Sequence, residues 1–283
     1  MKMKRRIALA AEALLAACAA FAQEPSAEEF QARYERLVRN VGYSGVGVET
    51  LLDRWEAAYP DDPAIPTARF HYFYLKSQHS EIVPKPGLRR YLGKQPALTL
   101  QDSDGNDVNY FEDISYDEEL FGEAMKVLDR QLAAQPDELR WHYLKISALT
   151  EYEKESPDMA AAELKALIGR NTSARPAWTL DGQPAGQDIF QQGVGEYLYG
   201  FFQTASPASY EYFREISEQM HKLFPRNPVF IDNLGSYWQV AKENDKQATK
   251  FYKQALKIDP EDYAANRNLK IIERKKAQGK KKK

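Results

Sequence analysis

The stretch IDNLGSYWQVAKENDKQATKFYKQALKIDP, residues 231–260, decides the fold. Ile231, Leu234, Tyr237, Trp238 and Ala241 recur at helical spacing on one face. After a polar break at Glu243-Asn244-Asp245, Ala248, Phe251, Tyr252 and Ala255 do the same. Two amphipathic helices joined by a short turn follow from that pattern, ended by Pro260. The same kind of stop recurs at Tyr59-Pro60-Asp61-Asp62, Gln135-Pro136-Asp137-Glu138 and Phe224-Pro225-Arg226-Asn227. The four prolines lie 76, 89 and 35 residues apart, which a period of about 34 residues explains once two insertions are allowed. Ser156-Pro157 and Ser206-Pro207 read as helix starts, a capping serine before a proline at the first helical position.

The residues of this stretch carry a resemblance. Ile231-x2-Leu234-Gly235-x2-Trp238, followed by Ala248-x3-Tyr252, Ala255 and Pro260, resembles a tetratricopeptide repeat (TPR), with Ile, Trp and Tyr in place of the family's Trp, Tyr and Phe. Gly235 and Ala248 are expected to let paired helices approach, and Trp238 to fill the gap. An upstream unit, Ala124-x3-Leu128, Pro136 and Trp141-x2-Leu144, matches more loosely. Trp55, Phe70 and Phe73 keep a trace. The expected fold is mostly α: a helical-hairpin, TPR-like solenoid with two small β-hairpin insertions.

Those insertions share a string. Pro96-Ala97-Leu98-Thr99-Leu100 precedes Asp104-Gly105-Asn106 and Val108-Asn109-Tyr110-Phe111, an alternating pattern around an Asp-Gly turn. Pro176-Ala177-Trp178-Thr179-Leu180 leads into Asp181-Gly182-Gln183 in the same way. The expectation is one duplicated unit of helix, hairpin and helix, with the strands in equivalent places.

Composition bounds the function class. The 283 residues are 43% hydrophobic and 28% charged, with one cysteine, which excludes a disulfide-stapled miniprotein. A mean hydropathy of −0.63 excludes a polytopic membrane protein. With 4 Trp, 17 Tyr and 13 Phe the chain has ample surface to bury, so it is not a disordered tail. The balance of 39 Lys+Arg against 41 Asp+Glu argues against nucleic acid as a partner.

The first 22 residues read as a signal peptide. Lys2, Lys4, Arg5 and Arg6 precede the apolar run Ile7–Ala22, interrupted only by Glu12, and Ala20-Phe21-Ala22 offers a cleavage site before Gln23. Leu15-Ala16-Ala17-Cys18 resembles the lipobox of bacterial lipoproteins, so Cys18 is a lipidation candidate that would anchor the chain to a membrane. Both cuts remain open. The implied location is the periplasm or cell envelope, with an outer-membrane lipoprotein as the alternative. Organisation then follows as a signal peptide (1–22), N-terminal helical pairs (23–78), a hairpin insertion (79–115), central TPR-like helices (116–170), a second hairpin (171–190), C-terminal TPR-like helices (191–276) and a basic tail (277–283). Cleavage before Gln23 leaves an acidic body and an end, from Lys270 onward, that carries eight basic residues against Glu273.

Catalytic and metal motifs are weak. His71, His79, His142 and His221 are scattered, and neither Cys-x2-Cys nor His-Glu-x2-His occurs. Asp102, Asp104 and Asp107 around Gly105 lack the Glu that closes an EF-hand loop, and read as a turn. Gly42, Gly45 and Gly47 follow a helix and precede no Gly-Lys-Ser/Thr, so they read as a hinge. No cofactor and no catalytic residue is assigned. A stack of helix pairs favours a continuous binding face. By position in the TPR pattern that face would be lined by Leu139, His142, Ile146, Leu149 and Thr150, by Val229, Asp232, Ser236, Gln239 and Val240, and by Ala264, Arg267, Ile271, Arg274 and Lys275. The function this implies is an exported, non-enzymatic scaffold that binds a protein or peptide. A lipoprotein subunit of an outer-membrane assembly machine is the alternative of the same class. The alternative of another class is a helical-solenoid enzyme, which a cleft of perturbed carboxyl groups would favour.

Overall fold

Four turns of one design organise the chain. The structure, a computed structural model, describes residues 24–281, so the signal segment 1–22 with Cys18 lies outside the described residues. Eleven helices form among them: α1 Ala27–Val41, α2 Val48–Ala58, α3 Ile65–Lys76, α4 Glu118–Ala134, α5 Leu139–Glu153, α6 Asp158–Ser173, α7 Gln187–Thr204, α8 Pro207–Leu223, α9 Pro228–Val240, α10 Asp245–Ile258 and α11 Tyr263–Lys281. Five strands complete the fold: β1 Gln78–Pro84, β2 Leu98–Gln101, β3 Asp107–Tyr116, β4 Thr179–Leu180 and β5 Gln183–Pro184. The protein is mostly α with two small antiparallel sheets.

Helices α2, α4, α8 and α10 each end two residues before one of the four prolines. The residue before the proline still donates its N–H back into the helix, over 2.7–2.9 Å. Proline cannot donate, so the ladder stops there. Two residues on, Asp62, Glu138, Asn227 and Asp262 each donate a backbone N–H to the carbonyl before the proline, at 3.0–3.1 Å. Their side chains then accept from the first turn of the next helix: Ala64 N at 2.9 Å, Arg140 N at 3.2 Å, Val229 N at 3.0 Å and Ala265 N at 2.8 Å. One short sequence thus closes one helix and opens the next, since an oxygen at this place satisfies an otherwise orphaned N–H. Of the two serine starts, Ser206 caps α8 in a capping box, while Ser156 does not cap α6. Glu153, from the end of α5, does that instead, accepting from Met159 N at 2.7 Å and Ala160 N at 2.9 Å.

The described chain divides into two units. The first comprises residues up to 77 together with 118–127. Its core gathers Phe30, Tyr34, Val48, Leu52, Trp55, Ile65, Ala68 and Tyr72 from α1 to α3. Trp55 is fully buried, and its indole N–H donates to Asp62 at 3.0 Å, tying the turn to the core.

The second unit comprises residues 78–117 and everything from 128 on. Helices α5/α6, α7/α8, α8/α9, α9/α10 and α10/α11 pack against each other in sequence, and α5 with α7, α7 with α9 and α9 with α11 also meet. The last cluster buries Ile231, Ala248, Tyr252, Ala255, Ala265 and Ile272. Gly235 is needed there because a Cβ would sit 2.5 Å from Cδ1 of Tyr252. Trp238 packs against the same cluster but stays half-buried, whereas neighbouring Tyr237 is fully buried and donates its hydroxyl to Glu211 at 2.7 Å. Helix α11 continues to Lys281, through most of the stretch expected as a basic tail.

Both expected hairpins form, with differences. β2 pairs antiparallel with β3 in the register Leu98↔Tyr110 to Gln101↔Asp107, around the Asp102–Asn106 turn. β1, which the sequence did not announce, adds along the other edge of β3 from Gln78↔Tyr116 to Pro84↔Tyr110, making a three-stranded sheet. β4 and β5 are two residues each. The two insertions do not occupy equivalent places, which overturns that part of the duplication idea. The sheet is tied to the C-terminal end of α5 by Lys154 to Asp113 at 2.5 Å. The β4–β5 turn is held at the N-terminal end of the same helix by Glu138.

That carboxylate accepts from Asp181 N at 2.9 Å, Gly182 N at 3.0 Å and Thr179 Oγ1 at 2.8 Å, besides Arg140 N. Burial pushes its acidity down, but these donors outweigh burial and hold Glu138 below the usual glutamate pKa. Glu138→Ala should cost about 3 kcal/mol, because it strands several donors that a buried charge now satisfies. Urea denaturation measures the loss, and hydrogen exchange should quicken at the Asp181 and Gly182 amides. With the folded pKa depressed, this stabilisation is present above the ordinary glutamate pKa and is lost as pH falls through the folded value.

Candidate functional groove

The row of helices α7, α9 and α11 leaves a concavity of about 430 Å³ in the second unit. Val229, Asp232, Ser236, Gln239 and Val240 of α9 line it, with Ala264, Arg267 and Asn268 of α11. A helix facing a groove presents residues three and four apart, which is the spacing of this set. Tyr199, Phe202 and Gln203 of α7 form the opposite wall. A second concavity of about 530 Å³ shares Tyr199 and Val229 and adds Asp188, Gln191, Gln192, Gly195, Glu196 and Asn227. Tyr199 is 63% exposed, Val229 45% and Val240 48%, so apolar surface is left open on the walls.

Asp232 sits at the bottom of the first concavity, only 6% exposed. Its Oδ1 is buried without a hydrogen-bond partner, and among the described residues no basic side chain pairs with it. Burial pushes its carboxyl up to about 7, helped by the nearby charge of Asp262. Asp262 has its own Oδ1 committed to capping α11. Tyr252 donates to Gln239 Oε1 at 2.6 Å and has Ser236 Oγ 3.4 Å from its hydroxyl, so it contacts two groove residues.

The chain matches no family model, no curated protein and no solved structure.

Of the residues expected to line a binding face, the structure gathers Val229, Asp232, Ser236, Gln239, Val240, Ala264 and Arg267 in one place. Asp232 is its buried floor rather than an exposed wall. The α5 set must be corrected. Leu139, Ile146 and Leu149 are core residues, 0%, 1% and 5% exposed, because α5 is covered by α6, α7 and β4. His142 is half-buried, bonds through Nε2 to the Pro136 carbonyl at 3.0 Å and stands edge-on to Trp178. Its pKa is lowered, chiefly by burial. Thr150 lines a different concavity, of about 260 Å³, beside the three-stranded sheet. Arg274 and Ile271 are exposed and do not line the groove, and Lys275 pairs with Asp245 at 3.2 Å.

The α7 wall lies outside the sequence-derived face because α7 lacks the repeat pattern. Its signal was the stripe Gly195-x3-Tyr199-x3-Gln203, four residues apart on one helical face. Among the described residues no group of three or more His, Cys, Asp or Glu could hold a metal ion, and no helix is long and apolar enough to cross a membrane.

Proposed function

We propose that the chain is an exported, non-enzymatic scaffold of the tetratricopeptide type that receives an extended segment of a protein partner in the groove between α7, α9 and α11. One observation carries this reading: the α9 residues assigned by repeat position, with Ala264 and Arg267 of α11, line one concavity whose walls keep Tyr199, Val229 and Val240 exposed. Gln203, Asn233, Gln239 and Asn268 add amides, which can both donate to and accept from a peptide backbone. Exposed aromatic and aliphatic walls with amides between them suit a peptide better than a compact polar metabolite.

Site-specific photo-crosslinking tests it. A crosslinker at Val240 or Tyr199 should capture a discrete partner in cell-envelope extract, and one at exposed Lys250 on α10 should not. Equal capture from both sides would refute the groove. Mass spectrometry of the exported chain decides between a start at Gln23 and an acylated Cys18.

The enzyme reading gains one observation, the perturbed carboxyl of Asp232 in a cleft. A general acid also needs a base or nucleophile held opposite. The groove's other carboxylate, Asp262, is engaged at the start of α11. Recognition of a charged ligand accounts for Asp232 without a second catalytic group.

A further inference from the structure

We propose that Asp232 is the specificity residue of the groove and that it receives a lysine or arginine side chain of the bound peptide, an inference that rests on the groove reading above. Three features of the site lead there. A carboxylate oxygen that is buried and unpartnered has lost its water without gaining a donor, a cost that a ligand N–H would offset. The two adjoining concavities hold Asp188, Glu196, Asp232 and Asp262 against Arg267 alone, so their field favours a cation. The apolar surface of Val229, Val240 and Tyr199 beside Asp232 suits the methylene stem of a long basic side chain and an apolar neighbour in the peptide.

The groups facing Asp232 are few. Asp262 approaches from the turn before α11, Arg267 from α11 itself, Tyr252 from α10 and Tyr199 from α7. Asp262 repels the charged form of Asp232, and an incoming ammonium or guanidinium would relieve that repulsion as well as pair with Asp232. Binding of the cation therefore stabilises the ionised carboxyl. Since burial holds that carboxyl near 7, affinity should rise about tenfold from pH 6 to pH 8, as Asp232 becomes ionised in the free groove.

The test uses the full chain against an immobilised array of random-sequence dodecapeptides. Retained peptides should share a Lys or Arg with apolar residues next to it. Replacing that Lys by norleucine should weaken binding at least tenfold to the wild type and leave binding to the isosteric Asp232→Asn variant unchanged. Retention without a basic preference, or an equal norleucine effect in both proteins, would overturn the role of Asp232 and leave the groove standing. No retained peptide, together with no crosslink from Val240, would overturn the groove and this proposal with it. A dimer in sedimentation that Asp232→Asn dissociates would place a second copy in the groove and also overturn it.

Discussion

Tyr252→Ala should melt α9, α10 and α11 while leaving the first unit folded. Tyr252 is fully buried at the centre of the last core cluster, where its ring fills the space that Gly235 leaves open. Truncating a large buried aromatic costs roughly 3–5 kcal/mol, the lost transfer energy plus the cavity. The hydroxyl that contacts Gln239 and Ser236 goes with the ring, which adds to the loss. In an array where helices touch only their neighbours, stability is a sum of local terms, so damage stays near its source. Hydrogen exchange should show protection lost from Pro228 onward and kept over α1 to α3. Trp55→Ala, which removes the fully buried indole of the first unit, should give the reverse pattern. Loss spread evenly over all helices in either variant would contradict an array of local units. Trp238, expected from its repeat position to fill the gap between the paired helices, should cost less than Tyr252, since it is half-buried rather than buried.

How much of this was legible follows from where each signal lies. The four helix ends were readable because proline and an adjacent acid or Asn act within a few residues of chain, and the turns they build depend on nothing distant. The β2–β3 hairpin was readable for the same reason, since Asp102 and Gly105 set the turn locally. β1 was not, because Gln78-His79-Ser80-Glu81 has no alternation of its own and becomes a strand only by pairing with β3. Periodicity marks a face on a helix but not what covers it. On α9 the face so marked is open, whereas on α5 the same rule marks Leu139, Ile146 and Leu149, which α6, α7 and β4 cover. Asp232 combines both cases: its place on the groove was readable, and its depth was not, because Asp262 and the α7 wall come from elsewhere in the chain.

That depth sets the second large effect. Asp232→Asn should stabilise the protein at pH 8 by about 4 kcal/mol and change it by only about 0.5 kcal/mol at pH 4. The carboxyl is raised from 3.8 to about 7 in the folded state, so its neutral form is the one the fold prefers. Near the unfolded pKa and below it, folded and unfolded chains hold the proton alike and asparagine gains little. Between about pH 4 and pH 7 the unfolded carboxyl has ionised while the folded one keeps its proton, so the cost accumulates over that window and levels off at about 4 kcal/mol once the folded carboxyl ionises as well, a cost the amide avoids. Urea melts of both proteins at several pH values measure the difference. A constant offset across that range would mean that Asp232 ionises as freely in the fold as outside it. The predicted pH dependence would instead mean that the chain carries a destabilising charge at the floor of its groove, and a peptide cation that neutralised it would raise the melting temperature of the wild type more than that of Asp232→Asn.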